Sequence, residues 1–177
     1  MYFITDYIND PSIERSILGE PVSKDQRFKA QVLLVWHENI DDKYLTRFKD
    51  LRGVVRYGVG YDNIDLNILA QRNIIFCNTP DYGVDEVSDT AVGMILNISR
   101  GISRYDRNAR SFKKGGWQEN RIGTLKRNAD QVVGVIGAGR IGGSVCRKLR
   151  AIGYEVAFYD PFVCSGHEKM LGVSRVR

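Results

Sequence analysis

The sequence predicts an α/β protein of parallel strands joined by crossover helices, and three features predict it. Strand-like and helix-like patterns alternate up to residue 83. Apolar residues then recur every three or four positions from Val84 to Phe112. Behind them a glycine-rich loop at 137–142, Gly-Ala-Gly-Arg-Ile-Gly, stands between an apolar run and a helical pattern. The composition suits such a chain: 177 residues, 43% hydrophobic and 27% charged, describe a globular protein with room for one large domain or two small ones.

Residues 2–7 read as the first strand. Asp10 then offers an N-cap and Pro11 a first-turn proline for a short helix that Gly19 ends. The apolar run 31–36 reads as the second strand, with Asp41 as cap for a helix over 42–50. Residues 53–57 and 74–78 are two further buried-strand candidates, separated by a helix that begins near Asp65. Strand, helix and strand in this rhythm imply parallel pairing, because a parallel neighbour needs a crossover connection. Residues 20–30 leave room for a short strand at best.

From Val84 the period changes. Val84, Val87, Ala91, Ile95, Ile98, Ile102, Tyr105, Ala109 and Phe112 lie at helical spacing, which predicts one amphipathic helix over 84–112. Such a helix is about 40 Å long at 1.5 Å per residue. It is too long for a small sheet alone and is expected to link two domains, 1–83 and 84–177, or to pack on a partner chain. Gly115 and Gly116 end it, and residues 117–131 read as an irregular connection. There is no internal repeat.

A lone Gly-x-Gly-x-x-Gly carries little weight, but here the context fits. The apolar run 132–136 precedes the loop, a helical pattern closed by Gly153 follows it, and a second strand ends in Asp160, 18 residues past Gly142. Each glycine has a reason: Gly137 for the tight turn, Gly139 for close approach to a pyrophosphate, Gly142 for packing of helix on strand. Phosphates would rest on N–H groups at the helix start, near Arg140 and Ile141. Asp160 would accept from ribose hydroxyls and repel a 2′-phosphate, so NAD is favoured over NADP. The plain alternative is a structural turn with no ligand.

A second glycine turn, Gly58-Val59-Gly60, follows the strand at 53–57. Its N–H groups would bind a carboxylate, with Arg56 adding a charge-assisted contact; the plain alternative is an ordinary turn. Asp62, Asn63 and Asp65 read as turn closure and helix cap. His37 follows the second strand at the end where ligands bind, and His167 lies near the adenosine side; both read as ordinary polar residues. Cys77, Cys146 and Cys164 lack metal-ligand spacing and read as buried thiols, and no metal site is expected. The net charge of +5 is spread thinly outside 107–114 and 121–127, which read as a solvated helix end and linker, not a nucleic-acid patch. No apolar run approaches membrane-spanning length, and acids stand where a signal peptide would carry Lys or Arg, so a cytoplasmic protein is expected.

Five segments in order carry a family resemblance: RYGVGYDNID (56–65), CNTPDYGVDEVSDTAVGMILNISR (77–100), GGW (115–117), VVGVIGAGRIG (132–142) and AFYDPF (157–162). Together they resemble the D-isomer-specific 2-hydroxyacid dehydrogenases, in the branch of the C-terminal-binding-protein corepressors and phosphoglycerate-dehydrogenase-like enzymes. The resemblance implies a flavodoxin-like substrate domain, here abridged, followed by the first half of a Rossmann NAD-binding domain. It implies that Val59 and Gly60, helped by Arg56, hold the carboxylate of a small 2-hydroxy or 2-oxo acid. It further implies that Gly137, Gly139, Arg140, Ile141, Gly142 and Asp160 touch NAD, and that the helix over 84–112 forms a homodimer. The family's catalytic arginine, glutamate and histidine belong to the second Rossmann half. None is assigned within these residues, so the chain read as truncated is expected to be inactive alone. Two other readings are an NAD(H)-responsive, corepressor-like interaction protein and a remnant without function.

Overall fold

The apolar runs of the N-terminal part pair in sequence order. In the computed structural model, which describes residues 1–6, 8–111 and 123–177, β1 (Tyr2–Ile4), β2 (Val32–Val35), β3 (Gly53–Arg56) and β4 (Ile75–Asn78) form one parallel sheet, ordered β1-β2-β3-β4. A flavodoxin-like sheet ordered 2-1-3-4-5 acquires this order when its second strand is missing. Where that strand would lie, the Val22 N–H donates to the Tyr2 carbonyl at 2.9 Å. A 3-10 segment, Lys24–Lys29, then leads into β2. Pro21 has no N–H to offer a ladder, so the β1 edge is met by a contact rather than by a strand.

The crossover helices are α1 (Ser12–Leu18), α2 (Asp42–Leu45) and α3 (Leu66–Gln71). Their starts follow the local capping chemistry. The Asp10 carboxylate accepts from the Ser12 N–H at 3.0 Å, Asp41 from Tyr44 at 2.7 Å, and Asp65 from Asn67 and Ile68. α2 stops at Leu45, short of residue 50: the N–H groups of Arg47 and Phe48 reach only three residues back, to the carbonyls of Tyr44 and Leu45, and Phe48 enters the core. Phe3, Leu33, Val35, Leu45, Val54 and Leu69 make up the centre of that core. The last strand departs from the buried run expected of it. Ile75 is 70% exposed and Cys77 is also exposed, so β4 buries one face only. Of the three thiols only Cys146 is buried, which corrects the expectation for Cys77 and Cys164.

The chain divides into two compact units, Met1–Tyr82 and Gly83–Arg177. In the second, β5 (Val132–Ile136), β6 (Glu155–Tyr159) and β7 (Ser174–Arg175) are parallel and ordered β5-β6-β7, as in one mononucleotide half of a dinucleotide-binding sheet. α4 (Val84–Ser99), α6 (Arg140–Ala151) and α7 (His167–Leu171) contribute to this unit. Val145, Cys146, Leu149, Val156 and Phe158 form its core, joined by Ala91, Val92, Ile95 and Leu96 of α4. The α4–α6 contact is pinned by polar groups: the Ser88 and Ser144 hydroxyls lie 3.1 Å apart in the interior, and the Lys148 ammonium donates to Ser88 and Asp89, each at 2.7 Å. The opposite face of β5 is open, with Ile136 91% exposed.

The single helix expected over 84–112 is instead two. α4 ends at Ser99 and α5 runs Ile102–Arg110, with Gly101 between them at φ +64°. A left-handed glycine after the last helical residues is a helix stop, and Asn97 secures the restart by accepting both the N–H and the hydroxyl of Ser103. The apolar period crossed this break unchanged because spacing alone does not register backbone direction. Phe112, Gly115, Gly116 and Trp117 lie outside the described residues. Among the described residues, no helix is long and apolar enough to cross a membrane.

Candidate functional site: two glycine loops

In the first unit, the loop after β3 is anchored from the end of β4. The Asn78 side-chain amide donates to the Val59 carbonyl at 2.9 Å, the Thr79 N–H donates to the Gly58 carbonyl at 3.2 Å, and the Thr79 hydroxyl reaches the Arg56 carbonyl. In a trans peptide the C=O and the following N–H point in opposite directions. With the carbonyls of Gly58 and Val59 drawn toward β4, the N–H groups of Val59 and Gly60 are turned the other way. Arg56 braces the loop from inside: its Nη1 donates to the Tyr57 carbonyl, and its guanidinium fills the space where a Cβ on Gly58 would stand. Its Nε is buried with no partner among the described residues. Tyr57 turns away and donates to Glu14 at 2.9 Å; burial, and then that carboxylate, push the phenol well above its ordinary pKa.

The neighbouring loop after β2 is organised by one carboxylate. Oδ2 of Asp6 accepts from the N–H groups of Trp36, His37 and Glu38 at 2.6, 2.8 and 3.1 Å, while the Thr5 hydroxyl adds a contact at 3.0 Å. Burial alone would raise the Asp6 pKa, but the donors from Glu38, Trp36, Thr5 and His37 outweigh it and hold the carboxyl below its usual value. Asn63 closes the loop from the other side by donating to the carbonyls of Trp36 and Glu38. His37 stacks on Trp36 with ring centres 5.2 Å apart.

In the second unit the loop between β5 and α6 shows a separate reason for each glycine. Gly137 has φ +86°, a conformation that disfavours any side chain. A Cβ on Gly142 would lie 1.8 Å from the Gly137 carbonyl oxygen, whereas a Cβ on Gly139 would meet nothing within 4 Å. The turn is therefore tight at Gly137, packed at Gly142 and open at Gly139, with Arg140 and Ile141 on the exposed start of α6.

Asp160, at the end of β6, is buried. Its Oδ2 accepts from the Ala138 N–H and its Oδ1 from the Phe162 N–H, both at 2.8 Å. The Ala138 N–H, followed by that of Phe162, holds its carboxyl below the ordinary range. The Asp160 carbonyl in turn accepts from Arg175 at 2.6 Å, which also reaches the Val163 carbonyl. The role expected for Asp160 is a ribose contact; what the structure shows is that its carboxylate fixes the glycine loop through the Ala138 N–H.

The structure thus gathers Gly137, Gly139, Arg140, Ile141, Gly142 and Asp160 at one loop, and Arg56, Val59 and Gly60 at another. It also reveals anchors that pattern reasoning passed over: Asp6, Asn78, Thr79 and His167. Asn78 had a readable signal, an amide side chain closing an apolar strand. His167 had none, because its partner lies 29 residues away.

The family model of the D-isomer specific 2-hydroxyacid dehydrogenase catalytic domain matches residues 7–170. C-terminal-binding protein 1 of Caenorhabditis elegans is 34% identical over 84% of this chain and 21% of its own length. D-3-phosphoglycerate dehydrogenase of Archaeoglobus fulgidus is 33% identical over 77% of this chain and 25% of its own. The crystal structure of D-lactate dehydrogenase from Aquifex aeolicus, complexed with NAD and lactic acid, superposes with a TM-score of 0.79 at 22% identity, covering 99% of this chain and 55% of that one. The chain therefore spans about a quarter or less of the two curated relatives and about half of the solved structure. Glycine loop, parallel half-sheet and family match converge, and the chain belongs to the D-isomer specific 2-hydroxyacid dehydrogenase family.

Proposed function

We propose that this chain contributes the carboxylate-binding loop and the dinucleotide-binding loop of an NAD-dependent oxidoreductase that interconverts 2-hydroxy and 2-oxo acids. The observation that carries the proposal is the glycine loop, closed at Gly142 and open at Gly139 where a pyrophosphate would approach. Bound NAD would take or give the hydride. The protein's part is positional: the start of α6 faces the phosphates with its N–H groups and the positive end of its dipole, and Asp160 meets the adenosine ribose. The N–H groups of Val59 and Gly60 hold the acid's carboxylate, with Arg56 as the nearby positive charge. No residue here is assigned the proton transfer, so the 177 residues alone are expected to bind without turnover. Calorimetry with NADH and with NADPH tests this: the proposal expects NADH to bind more tightly, and lack of binding by either dinucleotide overturns it.

A second reading, an NAD(H)-responsive interaction protein, draws on the outer face of α4. Ala91 and Ile95 pack on the core while Val87, Met94 and Ile98 are exposed, so the apolar surface of the helix extends outward beyond its packed stripe. We propose that the outer side pairs with a second copy of the chain. Dimerisation that depends on NADH, in a longer protein that lacks turnover, would favour this reading over the enzyme. The exposed thiols of Cys77 and Cys164 fit a reducing, cytoplasmic setting.

A further inference from the structure

We infer that His167 is a positioning residue for the dinucleotide loop, acting through the peptide between Ala138 and Gly139. The inference rests on the dinucleotide reading above and adds a residue that lies outside the motif segments 132–142 and 157–162.

Ala138 is completely buried, so both of its backbone polar groups need partners inside the protein. Its N–H is taken by Asp160 and its carbonyl by Nε2 of His167, each at 2.8 Å. These two side chains set the peptide planes on either side of Ala138. With the Ala138 N–H directed at Asp160, the Gly137 carbonyl must point the other way, and it does so, toward the α-carbon of Gly142. With the Ala138 carbonyl directed at His167, the Gly139 N–H points away from His167. A half-turn of that peptide would withdraw this donor from the start of α6, where the phosphates are proposed to sit, and leave a buried carbonyl unpaired.

The imidazole is itself held in place. Its ring stands edge-on to the buried Phe158, with centroids 6.0 Å apart and planes at 85°. A carbonyl oxygen only accepts, so the geometry requires Nε2 to carry the proton, which specifies the tautomer of neutral His167. Asp160 and His167 thus grip one residue from opposite ends of a single connection: Asp160 directly follows β6, and His167 opens α7.

The experiment compares the intact chain with His167→Leu, which keeps the apolar contact but removes the donor, and with His167→Gln, whose amide nitrogen can take the place of Nε2. Binding of NADH and of ADP-ribose is measured by calorimetry, with the urea midpoint recorded for each protein. Loss of one hydrogen bond predicts Kd values about three- to tenfold higher for His167→Leu, recovered to within about twofold by His167→Gln. Long-range 15N spectra of the unmodified chain at neutral pH should show the Nε2–H tautomer, a readout that requires no variant. Wild-type affinity in His167→Leu, or an Nδ1–H tautomer in the unmodified chain, overturns the inference and leaves the dinucleotide reading intact. Failure of the unmodified chain to bind either ligand overturns the dinucleotide reading, and the inference with it.

Discussion

The α-carbon of Gly142 faces the carbonyl oxygen of Gly137 so closely that an added Cβ would lie 1.8 Å from that oxygen. The clash is with backbone, and no rotamer relieves it. Gly142→Ala should therefore lower stability by about 3 kcal/mol, the upper end for overpacking, seen as a lower urea midpoint. Gly139→Ala meets no atom within 4 Å and should change stability by less than about 1 kcal/mol, while sharply weakening NADH binding. Equal stability losses in the two variants would remove the division of labour among the glycines.

Asp160 is proposed to act on the ribose and is seen to hold the Ala138 N–H. Asp160→Ala removes both contacts, whereas Asp160→Asn keeps an amide oxygen that can accept from Ala138. NADH affinity should fall more in Asp160→Ala, by at least tenfold, and the preference over NADPH should narrow in both variants because the carboxylate charge is gone. Calorimetry with the two dinucleotides separates the effects. An unchanged preference in Asp160→Asn would show that the charge does not select against a 2′-phosphate.

Asp6 makes a pH-dependent contribution with a definite sign. Its folded pKa lies below the unfolded value, because the donors of residues 36–38 and Thr5 overcome the effect of burial. The stability it confers is complete above the unfolded pKa, near pH 4, and is lost as pH falls through the lower, folded value. At pH 7 Asp6→Asn should cost about 1–2 kcal/mol, the scale of a charge-assisted hydrogen bond. The gap from the unmodified chain should close below about pH 4. Urea titrations from pH 7 to pH 3 would show this; a gap that is constant across the range would mean that the charge on Asp6 is immaterial.

Ile98 is 76% exposed on the outer side of α4. Placing a charge there leaves the packed side, Ala91 and Ile95, untouched. If that outer side joins two copies, Ile98→Asp should shift the mass measured by light scattering toward monomer with little change in far-UV circular dichroism. An unchanged dimer mass would place the interface elsewhere.

What could be read before folding is local. Strand positions followed from apolar runs, helix starts from Asp41 and Asp65, and the glycine loop from its place between β5 and α6. In each case the residues that decide the geometry are neighbours or lie within one helical turn. The remaining features arise from contacts between distant parts of the chain and from backbone direction. The stripe beginning at Val84 has one period, yet Gly101 breaks the helix beneath it, since a left-handed glycine redirects backbone without disturbing the spacing of side chains. The run 74–78 looked buried throughout, but burial is a property of what covers a sheet, and only one face of β4 is covered. The grip of His167 on Ala138 and of Asn78 on Val59 joins residues 29 and 19 positions apart. Such pairs leave no periodic trace, and they form only once packed strands and helices bring the two backbones and side chains within hydrogen-bonding distance.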